Sequence, residues 1–132
     1  MTKTFTIPSS SRQQVLDITE EVQFVVEGSG ISSGVCLVSV PHATCALYLN
    51  ENEDGLTHDV LTLINGMTAR DSWYHDLLDQ NAAAHLGAIL LGNSVTIPLE
   101  GGNLVMGTWQ RIMLTELDGP RHRRVNVTIT GQ

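Results

Sequence analysis

The sequence predicts a single α+β domain in which short strands are interrupted by about three helices. Its 132 residues are typical of one domain, and a composition of 42% hydrophobic and 16% charged residues is typical of a globular chain. Runs with strand-like patterns alternate with turns, and three stretches instead follow the helical period. No repeat, linker or low-complexity tract divides the chain, so residues 1–132 are predicted to form one domain.

The first half of the chain contains four predicted strands. Residues 4–7 alternate weakly and stop at Pro8, which indicates an edge strand. Residues 13–18 form the second strand. Residues 34–40 are almost continuously apolar, which predicts a strand buried on both faces. Residues 43–49 supply the fourth strand.

Three helices are predicted from apolar spacing and end signals. Residues 20–27 carry valines on one face and precede two glycines. A second helix begins at Asp54, and Gly66 is its expected terminator. A third helix follows Asn81 and closes at Gly92.

The last third of the chain returns to strands. Residues 95–98 and 104–106 flank the turn Glu100-Gly101-Gly102-Asn103, whose two glycines are typical of a hairpin. Residues 110–117 and 124–130 supply two more strands. The longest stretch without a clear period is 68–80, and long loops in compact domains often carry function.

The charge balance argues against several classes of partner. With a net charge of -7, the chain lacks the basic footprint of a nucleic-acid binder. No apolar run approaches the 18 residues of a membrane span, so we expect no membrane partner. The first 20 residues contain no signal-peptide pattern, and the two cysteines do not form a disulfide framework. We therefore expect a cytoplasmic protein with free thiols.

Three histidines from separate elements are the first candidate site. His42 follows a strand, His75 lies in the aperiodic loop, and His85 lies in the third helix. Imidazole nitrogen is a common ligand of divalent metals, so these side chains could converge on one ion. Their spacing matches no local zinc motif, and a hydrogen-bonded core role for His85 with a solvated His75 is the competing interpretation.

Two further segments carry polar groups. The run LNENEDG, beginning at Leu49, contains amides and carboxylates between a strand and a helix, where helix capping is the competing explanation. The segment Gly107-Thr108-Trp109-Gln110 offers a hydroxyl, an aromatic face and an amide, although Trp109 could be a core residue. Beyond it stand Arg121, Arg123 and Arg124, which could bind phosphate. For Arg123 a solvated position is the favoured interpretation.

The sequence resembles the YjbQ-like family, described as secondary thiamine-phosphate synthase-type proteins. The resemblance rests on PHATCALYLNENEDG from Pro41, on the series L-L-G-x-S-x-x-I-P…G-x-L-x-x-G-T-W-Q over residues 90–110, and on His75 between them. It covers nearly the whole chain. It implies a YjbQ-like fold, which is a small α+β fold with a β-sandwich-like core, a homotrimer, and a weak thiamine-phosphate synthase activity.

The resemblance also implies roles for individual residues. Glu51, His75 and His85 would be catalytic, and His42 with the latter two would hold a divalent metal ion such as Zn, Mn or Mg. Two departures from the family pattern stand at Ala43, where a hydroxyl is common, and at Gly87, where a lysine is common and a phosphate contact is therefore lost. The expected substrate-binding residues are Asn50, Asn52, Asp54, Ser94, Thr108, Trp109, Gln110 and Arg121.

Three functions follow from these expectations. The first is an enzyme that condenses hydroxymethylpyrimidine diphosphate with thiazole phosphate and releases pyrophosphate. The second is a metal-dependent hydrolase of a small phosphorylated or amide substrate. The third is a non-catalytic trimeric binding module. In every case the histidines and the tryptophan segment are expected to border one polar cavity.

Overall fold

The chain folds into two antiparallel sheets and three α-helices. The computed structural model describes all of residues 1–132. The strands are β1 (Thr2–Pro8), β2 (Gln14–Asp17), β3 (Gly34–Ser39), β4 (Cys45–Asn50), β5 (Ser94–Glu100), β6 (Asn103–Leu104), β7 (Arg111–Glu116) and β8 (His122–Gly131). The helices are α1 (Thr19–Ser29), α2 (Asp54–Thr68) and α3 (Ala82–Leu91), and a 3₁₀ turn spans Tyr74–Leu77.

The two sheets stack as a sandwich, with α1 closing one side. One sheet has the order β1-β8-β3-β5-β6, and the other has the order β2-β7-β4. The main core contains side chains from both sheets and from α1, among them Val22, Leu47, Ile97, Leu114 and Val127. Burial of such apolar surface is the main favourable contribution to folding. The predicted α+β domain with a β-sandwich-like core and three helices is confirmed.

Strand β3 differs from its prediction. Cys36 and Val38 are fully buried in the sandwich, but Val35 and Leu37 point to the opposite face and are exposed. The outer face of the five-stranded sheet has no covering layer in a single chain. The prediction that both faces of β3 are buried is therefore wrong for one chain. The outer face is nevertheless apolar, since it carries Val35 and Leu37.

The three-stranded sheet is covered on its second face by α2 and α3. Ala46 of β4 and Leu117 pack there against Ile64, Ala84 and Ala88 of the two helices. Small side chains allow the α3 backbone to approach the sheet closely. This layer fixes α3, and with it His85, against the start of β4.

Gly66 and Gly87 both lie within helices, in α2 and α3 respectively. Helix α2 continues through Gly66 to Thr68, so Gly66 is not its terminator. Gly87 is buried in α3, where an added Cβ would lie 2.8 Å from Leu117 Cδ1 and 2.9 Å from Ile64 Cγ2. The Cβ of a lysine at position 87 would thus meet the core of this chain, so Gly87 makes a packing contact in α3.

The predicted hairpin between β5 and β6 and the predicted edge strand β1 are both confirmed. Gly101 and Gly102 have φ values of 58° and 77° and join β5 to β6, as the predicted hairpin requires. β1 lies at the edge of its sheet and ends at Pro8. None of the helices has the length and apolar character needed to cross a membrane.

We predict opposite stability effects for alanine at two helical glycines. Gly87→Ala should lower the free energy of unfolding by about 1 kcal/mol, because overpacking costs more than the gain in helix propensity. Gly66→Ala is the matched control; its Cβ meets nothing within 4 Å, and it should raise the free energy of unfolding by about 0.5 kcal/mol. Urea unfolding measures both, and a stabilised Gly87→Ala protein would contradict the packing of α3.

Candidate functional site

Two of the predicted histidines line one surface depression. It has a volume of about 420 Å³ and lies between the β3–β4 loop and α3. His42 and Cys45 border it from the loop and from β4, and His85 borders it from α3. His42 is held in place by the backbone N–H of Arg124, which donates to its Nε2 over 2.9 Å.

Burial and nearby positive charge both favour the neutral form of the His42 ring. Burial lowers the pKa of His42, and the nearby guanidinium groups of Arg123 and Arg124 lower it further. The acceptor role of Nε2 also requires this nitrogen to be unprotonated. The side chain of Arg124 is exposed and forms no ion pair, so it adds uncompensated positive charge beside the depression.

His75 joins His85 but not His42. The rings of His75 and His85 meet edge to face with their centroids 4.5 Å apart. His75 Nε2 lies 2.9 Å from Asn81 Oδ1. The aperiodic loop therefore brings one predicted site residue against another, through the 3₁₀ turn that precedes α3.

The three histidines do not form a metal centre within this chain. No group of three His, Cys, Asp or Glu side chains is arranged to hold a metal ion. The Nε2 atoms of His42 and His75 are already engaged by Arg124 and Asn81. The expected convergence of His42, His75 and His85 on one Zn, Mn or Mg ion is therefore not found within a single chain, and the metal ion stays a prediction.

A buried ion pair lies beneath this end of the sandwich. Glu116 of β7 is fully buried and accepts from Arg123 of β8, at 2.9 Å from Nε to Oε1. Ser9 donates to Oε1 over 2.6 Å, and Arg123 donates to the hydroxyl of Thr44 over 2.8 Å. The prediction that Arg123 is solvated is wrong. Its satisfied donors are what allow a guanidinium to be buried at all.

The carboxylate of this pair stays ionised despite its burial. Burial alone would raise the pKa of Glu116, but hydrogen bonds from Arg123, Ser9 and the backbone N–H of Asp118 together lower it. The backbone at Gly119 packs tightly against the backbone at Ser11, because a Cβ at position 119 would lie 2.4 Å from the carbonyl oxygen of Ser11. The turn at residues 118–120 therefore closes over the pair.

A second depression, of about 270 Å³, contains the tryptophan segment. Glu51, Asn52, Thr108 and Trp109 border it together with Asp17 and Arg111. Trp109 is 70% exposed, so its ring face is open to solvent and is not part of the core.

An ion-pair network forms the floor of this second depression. Arg111 donates from Nε to Asp17 Oδ2 over 2.6 Å and reaches Glu20 as well. Burial would raise the pKa of Asp17, but hydrogen bonds from Arg111 and Thr19 lower it. Asn52 Nδ2 also lies 3.2 Å from Asp17 Oδ2, which fixes one predicted binding residue.

The two depressions lie at opposite ends of β4. Cys45 begins this strand beside the histidines, and Asn50 ends it just before Glu51. Six residues of strand span roughly 17 Å at about 3.3 Å per residue. The expectation that the tryptophan segment borders the histidine cavity is thus corrected for a single chain.

Three of the remaining predicted binding residues, Gln110, Asn50 and Arg121, have local partners. The backbone N–H of Gly107 donates to Gln110 Oε1, and that of Glu51 donates to Asn50 Oδ1. Arg121 donates from Nη2 to Asp118 Oδ2 over 3.1 Å, so its charge is already paired. The other two are exposed and border neither depression: Asp54 at the start of α2 and Ser94 at the start of β5.

Sequence reasoning missed the groups that surround the histidines. The burial of Arg123 was visible in β8, where it alternates in step with Val125, Val127 and Ile129. The sequence placed Asn81 only at the start of the third helix, but its side chain does not cap the helix and instead contacts His75 and Asp118. No local signal reveals that contact, because Asn81 and Asp118 are 37 residues apart.

The fold and site define a small single-domain α+β protein with a histidine-lined depression at one end of a β-sandwich. Comparison with known proteins agrees with this description. The model of the family "UPF0047 protein YjbQ-like" matches residues 3–132, and the chain belongs to this family.

Close relatives are found in archaea. A UPF0047 protein of Methanothermobacter thermautotrophicus is 42% identical over 132 residues, covering 99% of this chain and 92% of the relative. A UPF0047 protein of Archaeoglobus fulgidus is 48% identical over 123 residues, covering 92% and 95%. These descriptions specify no reaction.

Two crystal structures show the same fold. A YbjQ-like protein of unknown function from Sulfolobus solfataricus P2 aligns with a TM-score of 0.97 and 45% identity, covering 100% of this chain and 97% of that one. A hypothetical protein from Aeropyrum pernix K1 aligns with a TM-score of 0.97 and 43% identity, covering 100% and 99%.

Proposed function

We propose that this chain is a small acid–base enzyme that acts on a phosphorylated substrate at the histidine depression. The observation that carries the proposal is the contact of His75 with His85, where His85 also lines the depression. Imidazole titrates near neutral pH and is the commonest acid–base group of enzymes. Two imidazoles in contact at the rim of a cavity can pass a proton to or from a bound ligand.

The charge of the depression favours an anionic ligand. The guanidinium of Arg124 is free, and the pKa of His42 is lowered partly because positive charges surround it. A phosphate or diphosphate would compensate this charge and would accept hydrogen bonds from it. Arg121, the expected phosphate ligand, is paired with Asp118, so Arg124 takes over this role in the proposal.

The specific reaction we propose is the thiamine-phosphate synthase-type condensation. The thiazole nitrogen attacks the methylene carbon of hydroxymethylpyrimidine diphosphate, so a C–N bond forms. The C–O bond to the diphosphate breaks, and pyrophosphate leaves with the electron pair. A protonated His85 would donate to the leaving oxygen, and Arg124 would stabilise the charge that develops there. The step as written requires no metal ion.

Assembly with two further copies, as a homotrimer, is also part of the proposal. Three apolar side chains in and directly after the 3₁₀ turn are almost fully exposed in one chain: Tyr74 at 94%, Leu77 at 89% and Leu78 at 80%. We call these residues the apolar arm. Exposed apolar patches of this kind mark interaction surfaces. A neighbouring copy could bring its Trp109 depression, which contains Glu51, to the histidine depression that lies at the far end of β4.

The cellular setting of the proposal is the cytoplasm. Cys36 and Cys45 are both buried free thiols, which suits a reducing compartment. The net charge of -7 does not favour nucleic acid as a partner.

We predict that His85→Ala lowers pyrophosphate release from the two substrates by roughly 10²–10⁴-fold, because a proton donor is lost. The free energy of unfolding should stay close to that of the wild type. His58→Ala is the control, since His58 is highly exposed on α2 and distant in sequence from the site. A wild-type protein that releases no more pyrophosphate than a heat-inactivated sample would overturn the reaction and leave a binding module as the better explanation.

We predict that Leu77→Asp with Leu78→Asp reduces the sedimentation coefficient of the protein to that of a monomer. Charges on the apolar arm would have to be desolvated in an interface. The control is Phe24→Asp, which alters an exposed apolar residue of α1 outside the arm. If the double variant sediments like the wild type, the arm is not the interface, and if wild-type protein is a monomer, the assembly proposal fails.

A further inference from the structure

We propose that Asn81 and Asp118 are positioning residues that hold His75 as the tautomer protonated at Nε2, so that Nδ1 is its basic nitrogen. Three contacts carry the inference. His75 Nε2 lies 2.9 Å from Asn81 Oδ1, and Asn81 Nδ2 lies 2.9 Å from Asp118 Oδ2. The same Asp118 oxygen accepts from Arg121 Nη2 over 3.1 Å.

The chemistry of the carboxylate decides which way the Asn81 amide faces. An ionised carboxylate has only acceptors, so the atom of Asn81 that faces Asp118 must be the NH₂ group. The carbonyl oxygen of Asn81 then faces His75. Because that oxygen only accepts, the ring nitrogen opposite it must carry the proton. The orientation of one amide thereby fixes the protonation pattern of a ring that Asp118 does not touch.

Asp118 is itself held in the ionised state. Burial would raise its pKa, but hydrogen bonds from Asn81 and Arg121, together with the charges of Arg121 and Arg12, lower it. Its backbone N–H donates to Glu116 Oε2 over 3.1 Å, which anchors the turn to the buried ion pair. We call the hydrogen-bonded series Asp118–Asn81–His75 the relay. It begins at a rigid point of the sandwich and ends at the His75–His85 contact.

The relay has a functional consequence that rests on the proposed acid–base role. With Nε2 engaged as a donor, only Nδ1 of His75 retains a free lone pair. His75 can then accept a proton at Nδ1 without losing its hydrogen bond to Asn81. Histidines that act as bases are commonly oriented by a third group in this way, since a fixed tautomer keeps the basic nitrogen in position.

Nitrogen-15 NMR of the histidine rings tests the inference without any activity assay. At a pH where His75 is neutral, its ring should show the Nε2-protonated pattern and a visible, exchange-protected Nε2–H proton. The exposed ring of His58 should show no such proton. A His75 ring protonated at Nδ1 would overturn the inference.

Three variants separate positioning from general structural effects. Asn81→Leu and Asp118→Ala should each abolish the protected His75 Nε2–H signal, because the first removes the acceptor and the second frees the amide to turn over. Asp118→Asn should restore it, since its carbonyl oxygen can still accept from both Asn81 and Arg121. Asp76→Asn is the matched control; Asp76 accepts from the backbone N–H of Ala82 in the same loop and should leave the signal unchanged.

Turnover gives a second, independent readout. Asn81→Leu should lower kcat for pyrophosphate release by up to ~10²-fold, as misplacement of a reacting group does, while Asp118→Asn stays near the wild type. If the wild type releases no pyrophosphate but the NMR pattern holds, the proposed reaction is wrong and the relay stands. If Asn81→Leu retains the protected ring proton, the relay itself is refuted.

Discussion

The buried Glu116–Arg123 pair is the interaction on which the functional end of this protein depends. It joins β7 of the three-stranded sheet to β8 of the five-stranded sheet, so it links the two layers of the sandwich directly. Thr44 and Ser9 complete its hydrogen bonds, which ties the start of β4 and the end of β1 to the same point. Burying two charges is expensive, and full satisfaction of their hydrogen bonds is the condition under which it is tolerated.

Both sides of the histidine site are anchored to this pair. On one side, Arg124 follows Arg123 in β8, and its backbone N–H holds His42 at the depression. On the other side, Asp118 follows Glu116 and leads through Asn81 to His75. A buried ionic network thus positions half-buried imidazoles that it does not contact, and this explains how loop residues can form a defined site.

The sequence predicted the features that depend on neighbouring residues better than those that depend on contacts between distant parts of the chain. The hairpin at Gly101 and Gly102 and the edge strand ending at Pro8 follow from local backbone preferences, so they were predicted correctly. The outer face of β3 was misjudged because an apolar run does not say whether a second layer covers both faces. Whether Val35 is covered depends on assembly, which one sequence does not specify.

The candidate site was predicted in its residues but not in its arrangement. His42, His75 and His85 do gather at one end of the fold, while Trp109 lies past the other end of β4. That separation follows from strand length and direction, which local patterns do not reveal. The pairing of Asn81 with Asp118 is equally non-local, and only the folded chain brings the two together.

A double-mutant cycle with Glu116→Leu and Arg123→Leu tests the central claim most directly. Each single variant leaves one charge buried without its partner, and should lose about 3–5 kcal/mol of unfolding free energy, whereas the double variant should lose much less than the sum. The same samples report on the site, because the protected Nε2–H proton of His75 should disappear in all three. Additive energies together with an unchanged His75 signal would show that the ion pair does not organise this end of the protein.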